Sequence, residues 1–215
     1  RMGFDGIWTV KDDLGPIVEH EMVKGRRVVF WVDEATNGAA MLPWASQEIY
    51  FTPGGRMYFT SDLEAFDIGD NMVNEKQISL RLGEARGWAI KGGYENLSGA
   101  VIKAMTRSKY WLYYKEVGGE AVFHEGKLEP EEAAAGAWIL LTDDGKGDNE
   151  DKGIRVFNDR LVIDAALAHL IDLSKGSAKD EEELMHELGV LRNYKMIEGR
   201  AEKIFEDWTA AKEAA

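Results

Sequence analysis

Ile49-Tyr50-Phe51-Thr52-Pro53-Gly54-Gly55-Arg56-Met57-Tyr58-Phe59-Thr60 is the stretch on which the fold turns. Runs of β-branched and aromatic residues flank Pro53-Gly54-Gly55, where proline arrives with φ preset for a first corner and the glycines supply positive φ. The expected element is a β-hairpin, and it predicts antiparallel sheet on either side. Upstream, Val28-Val29-Phe30-Trp31-Val32 has the composition of a strand, approached through a turn at Lys24-Gly25. Downstream, Gln77 to Leu82, Gly87 to Lys91, Tyr110 to Val117 and Ala121 to His124 continue the pattern, with Gly118-Gly119 turning the last pair. About eight to ten short strands in an antiparallel barrel or sandwich are expected.

Other segments break the pattern. Within Asn96 to Thr106, Leu97, Val101, Ile102 and Met105 fit a short helix while their neighbours fit a strand, and helix is the preferred reading. Glu129 to Ala135, with Pro130 near its first position, reads as a turn or two of helix, and Trp138-Ile139-Leu140-Leu141 as a buried strand. The acidic, glycine-containing loop Thr142 to Gly153 separates a β-rich body, 1–157, from a C-terminal helical hairpin, 158–215. In that hairpin Asn158 or Asp159 caps a first helix, Gly176 ends it, and Ser177 with Asp180 opens a second near residue 179. Leu184, Leu188, Leu191, Tyr194, Ile197, Ala201, Ile204 or Phe205, and Trp208 recur every three or four residues. They would form one apolar stripe of about eight turns, roughly 45 Å. Such a stripe is longer than its partner helix, so it lies across the body or meets another subunit. Leu184, Leu188, Leu191, Tyr194, Ile197, Ile204 and Trp208 are therefore the interface candidates. Gly189 and Gly199 weaken the helix and allow a kink. The fold class expected is thus α+β, a β barrel or sandwich followed by a hairpin with one long amphipathic helix.

With 215 residues, 45% of them apolar, the chain can bury a real core. A net charge of −13 argues against a broad basic surface for nucleic acid or anionic lipid. The absence of cysteine excludes disulfides, thiol catalysis and cysteine-held zinc. No run of about 18 apolar residues occurs and Arg1 to Gly6 lack a signal peptide's apolar region, so a soluble chain is expected and its compartment stays open.

A search for chemistry returns no catalytic, cofactor-binding or metal-binding residue. Glu19-His20-Glu21 would point to opposite faces of a strand. His186-Glu187 lacks the second histidine of a metalloprotease helix, since Val190 stands there. His169 sits on the apolar side of a helix. Asp143 to Asp151 is rich in carboxylates, but Lys146 interrupts it and the EF-hand spacing is absent. Gly92-Gly93 with Gly99 is no phosphate loop, and Ser98-Gly99 no nucleophile elbow, because Asn96 holds the place glycine needs. Ser61, Asp33 and Glu48 remain as residues from which a site could assemble in three dimensions.

Seven tryptophans and seven tyrosines are many for this length. In Tyr110-Trp111-Leu112-Tyr113-Tyr114, alternation sends Tyr110, Leu112 and Tyr114 one way and Trp111 and Tyr113 the other. Either the strand is central and covered on both faces, or the second face makes a ligand cavity or protein contact.

Two resemblances follow. Gly6-Ile7-Trp8 resembles the G-x-W opening of lipocalin-type barrels, which implies a cavity for a small apolar ligand. The order from Tyr110 to the C-terminus is similar to that of tailed-phage head-to-tail connector proteins: a strand ending Leu112-Tyr113-Tyr114-Lys115, an acidic stretch, then Asp159-Arg160-Leu161-Val162 leading into helices. That resemblance implies a structural subunit, although the N-terminal helices usual there are missing from this reading. The function expected is a non-catalytic assembly protein with other protein subunits as partners and no nucleic acid or membrane. The alternatives are a ligand-binding barrel and an enzyme whose site is dispersed in sequence.

Overall fold

The computed structural model describes residues 4–63, 70–108, 110–142, 160–190 and 192. The stretch 49–60 does not turn back on itself. Ile49–Tyr58 is one strand, β2, lying parallel to β1 (Phe30–Thr36). Val32 aligns with Phe51 but Glu34 with Arg56, so an advance of two residues along β1 matches five along β2. Pro53-Gly54-Gly55 is therefore a bulge, where a missing N–H is tolerated, rather than a turn. Gly55 is required there, because a Cβ would stand 2.4 Å from the Val32 carbonyl oxygen.

The other edge of β2 is covered by two short strands. β6 (Ile163–Asp164) pairs antiparallel with Arg56 and Met57, and β7 (Gly176–Ser177) pairs parallel with Tyr50 and Phe51. A second sheet, ordered β4-β3-β5, joins Leu112–Val117 (β3), Glu120–Glu125 (β4) and Ile139–Leu140 (β5), all antiparallel. Here the expected hairpin is present, with Gly118 and Gly119 both at positive φ as its two-residue turn demands. β5 is short, and Ile139 on it is exposed rather than buried.

The chain is thus α+β with two small sheets, and neither closes into a barrel. That overturns the expected barrel or sandwich, and the lipocalin resemblance goes with it. The largest departures are two long helices where strands and turns were expected, α1 (Phe4–Val23) and α2 (Asn71–Lys91). Pro16 lies inside α1, and Gly83 and Gly87 inside α2, residues that lower helix propensity and mimic turn punctuation. Packing outweighs them. Trp8 of α1 is fully buried against Phe59, and Ile78, Ala85 and Ala89 of α2 are buried in the same core. Asp70 caps α2, its carboxylate accepting from the Val73 N–H at 2.9 Å.

Between the long helices and the second sheet lie α3 (Glu95–Ser98) and α4 (Ala100–Thr106), in line with the helix expected there, and α5 (Pro130–Ala134) begins with its proline as expected. After residue 160 the chain differs from the expected hairpin. β6 comes first, then α6 (Ala165–Leu170), capped by Asp164, and Gly176 belongs to β7 instead of ending a helix. α7 (Glu181–Glu187) starts close to the expected position, with Asp180 accepting from the Glu183 N–H and the Glu183 carboxylate from the Lys179 N–H. It stops at Gly189, whose φ is +70°: the Gly189 N–H bonds to His186 and the Val190 N–H to Met185. The continuous helix expected from residue 179 is therefore broken there. Leu191, Tyr194, Ile197, Ile204 and Trp208, with the rest of the hairpin and the 157/158 boundary, lie outside the described residues. Leu161, Ile163, Ala168, Ile171 and Leu173 share one buried cluster with Trp8, Phe51, Met105 and Leu112. Among the described residues no helix is long and apolar enough to cross a membrane.

Candidate interaction surface

The two long helices run parallel, since Lys11, Gly15 and Glu19 of α1 meet Glu84, Trp88 and Lys91 of α2 in that order. The layer between them is charged. Lys11 is 5% exposed, with its ammonium 2.6 Å from Glu84 and 3.1 Å from Asp12. The ammonium also lies over the Trp8 and Trp88 rings, whose centres are 5.9 and 5.5 Å away. Arg81 holds Asp12 through both carboxylate oxygens, at 2.9 and 2.8 Å, and rests over the Trp8 ring. Gly15 makes the layer possible, because a Cβ there would stand 2.2 Å from the Trp88 ring.

The sides turned outward carry apolar stripes flanked by charges. Val10, Leu14 and Ile17 recur at the four-then-three spacing of one helix face and are 43, 45 and 58% exposed. At 100° per residue this stripe lies opposite the α2-facing side of α1. On α2 the outward side carries Val73, Lys76, Leu80, Gly83, Gly87 and Ile90, a three-four repeat in which Val73, Leu80 and Ile90 are 42, 55 and 45% exposed. Among the described residues, each glycine's chain neighbours and the helix's own backbone aside, no atom lies within 4 Å of where a Cβ on Gly83 or Gly87 would be.

The second sheet has an aromatic outer face. β3 is its central strand, and the alternation read from sequence holds: Leu112 and Tyr114 are buried, while Trp111 and Tyr113 lie half-buried on the other side. Their rings stack 6.3 Å apart at 10°, and His124 and Trp138 extend the row, with Lys115 4.1 Å from the Trp138 ring.

The remaining candidates are engaged within the chain. Leu184 is buried against Tyr50 and Ala178, and Leu188 packs beside it, its carbonyl accepting from Arg27 at 3.2 Å. Arg27 also grips Glu48, and this hydrogen-bonded pair holds the Glu48 carboxyl below its ordinary value. Asp33 accepts from the Thr52 hydroxyl at 2.8 Å. Glu19-His20-Glu21 lies on helix α1, not on a strand, with Glu19 paired to Lys91 and Glu21 to Lys24 and Arg26. Burial pushes the Glu125 carboxyl up, but hydrogen bonds from the Tyr110 hydroxyl and the Lys103 ammonium outweigh it and hold it low. Burial, with that bond to Glu125, pushes the Tyr110 hydroxyl up. The Glu21 carboxyl, like those of Glu48 and Glu125, is held below its ordinary value, chiefly by its hydrogen bond from Lys24. Among the described residues no three metal-ligating side chains converge, and the acidic stretch Asp143 to Asp151 lies outside them. Open clefts of about 220 Å³ between Leu97, Glu120 and Asp172, about 320 Å³ beside Met22 and Val23, and about 490 Å³ beside Asn74 and Ile78 lie on the surface of the described residues.

The outward stripes of α1 and α2 were missed in sequence because both segments were read as strands and turns. The spacing of Val10, Leu14 and Ile17 was nonetheless visible. A comparison with protein-family models finds no match, and comparisons with curated proteins and solved structures find no significant match.

Proposed function

We propose that this chain is a non-catalytic subunit of a larger, symmetric protein assembly, in which the outer faces of α1 and α2 meet neighbouring subunits. The observation that carries this is alignment. Large apolar residues exposed singly are ordinary, but here they fall in register along the outward sides of the two longest described helices. A connector or similar scaffold is the setting that suits such a subunit. A helix near the N-terminus, α1, is compatible with that setting.

Light scattering on a sizing column, across a wide range of protein concentration, tests the reading. A discrete oligomer, or a mass that rises with concentration, is the expected result. A monomer at every concentration, with no binding of a fluorescent apolar probe to its surface, would sink it.

A further inference from the structure

We propose that copies of this chain join head to tail, the Val10–Leu14–Ile17 ridge on α1 of one copy seated antiparallel in the Gly83–Gly87 groove on α2 of the next. The inference rests on the assembly reading above and adds the contact, its orientation and its symmetry.

Shape is the first argument. Gly15 has a reason to be glycine, since Trp88 occupies the space its side chain would take. Gly83 and Gly87 make room for nothing among the described residues, although glycine is the weakest ordinary helix former. Exposed Leu80 and Ile90 bound the shallow trough they leave. At 1.5 Å per residue, Leu80 and Ile90 stand about 15 Å apart along the axis, and Val10 to Ile17 spans about 10 Å. The ridge fits between them, large side chains over small, as in close helix crossings.

Direction is the second argument. The sides of α1 and α2 that face each other carry Lys11, Asp12, Arg81, Glu84 and Trp88, so neither outward stripe can reach the other within one molecule. Among the described residues each half of the complementary pair therefore finds its match only in a second copy. A ridge meeting a groove is a heterologous contact, which propagates until it closes into a ring or extends as a filament.

Charge sets the orientation. With Val10 toward Ile90 and Ile17 toward Leu80, Asp13 falls between the two glycines beside Arg86. Glu21, one turn beyond Ile17, then falls beside Lys76, one turn before Leu80. Opposite charges meet in both places, whereas parallel seating would set Gly6 against Lys76. Antiparallel seating also opposes the two helix dipoles favourably.

Two variants, each crippled on one face, test the contact. Leu14→Asp spoils the ridge and leaves the groove. The double variant Gly83→Gln/Gly87→Gln fills the groove and leaves the ridge. Each alone should weaken self-association at least tenfold while keeping its helical circular dichroism, and the glutamine variant should melt higher, not lower, than Leu14→Asp. Mixed together, the two should form a one-to-one heterodimer and nothing larger, because each supplies the face the other lacks. Wild-type assembly that persists unchanged in either variant, or a mixture without heterodimer, overturns this contact and leaves the assembly reading standing. A wild-type chain that stays monomeric throughout removes the assembly reading first.

Discussion

The two sides of the α1/α2 pair invert the usual partition of a protein surface. Inside lie two cations, two carboxylates and two indole rings; outside lie Val10, Leu14, Ile17, Leu80 and Ile90. The inner layer tolerates charge because each charge is paired and Lys11 lies over two aromatic rings, with Asp12 and Glu84 still about 40% exposed to water. Among the described residues the outer layer has no comparable compensation. The contrast teaches that burial here follows partners rather than polarity.

The sharpest way to break the contrast is to treat glycine identically on both sides. Gly15→Leu would drive its side chain into the Trp88 ring and should cost about 3 kcal/mol in urea unfolding, an overpacking penalty. Lys11→Ala removes the ammonium that lies over the two rings, and its stem. Because Asp12 keeps Arg81 and Glu84 reaches solvent, a loss of about 1–2 kcal/mol is expected, below that for a fully enclosed pair. On the outer side, Gly83→Ala and Gly87→Ala should each stabilise the fold by about 0.5–1 kcal/mol, measured in the Leu14→Asp background so that association does not contribute. A loss at either position would mean that the groove is filled within the chain.

The smallest effect lies away from both layers. The Glu125 carboxyl is held below its reference of 4.5, so its bonds to Tyr110 and Lys103 contribute in full above that pH. The contribution disappears as the pH falls through the lowered value. With Glu125 44% exposed, solvent screens much of it. Glu125→Gln should flatten only the acid limb of a stability profile.

What was legible in the sequence was local. Gly118-Gly119 announced a tight hairpin and Pro130 a helix start, and each needs only its neighbours in the chain. The cap of α7 is displaced from the expected Ser177–Asp180 pair by three residues, because Ser177 is taken into β7 and Asp180 accepts from the Glu183 N–H instead. What failed was glycine as punctuation. Gly25, Gly93 and Gly189 all have positive φ and all end helices by the same pair of backbone bonds, for example Gly93 N–H to Ile90 and Tyr94 N–H to Ala89. A glycine that stops a helix and one that turns a hairpin look alike until the preceding periodicity is assigned. The stretch 49–60 failed for a different reason. Its bulge exists only because β1 lies alongside, and Gly55 answers to the Val32 carbonyl, which no local pattern discloses. Of the candidate surface, the α1 stripe was written in residue spacing. The groove on α2 shows only once Gly15 is seen to have a partner and Gly83 and Gly87 to have none among the described residues.

The two short strands that cover β2 also set a timetable. Its second edge is closed by residues far along the chain, as when the Ser174 hydroxyl bonds to the Ile49 carbonyl across 125 positions. During synthesis β2 therefore waits, with one row of backbone donors and acceptors open, until the segment through Ser177 has left the ribosome. Closing so long a loop is slow, and an open edge is a template for the wrong neighbour. A chain truncated before residue 163 should carry that edge permanently and precipitate where the full chain stays in solution.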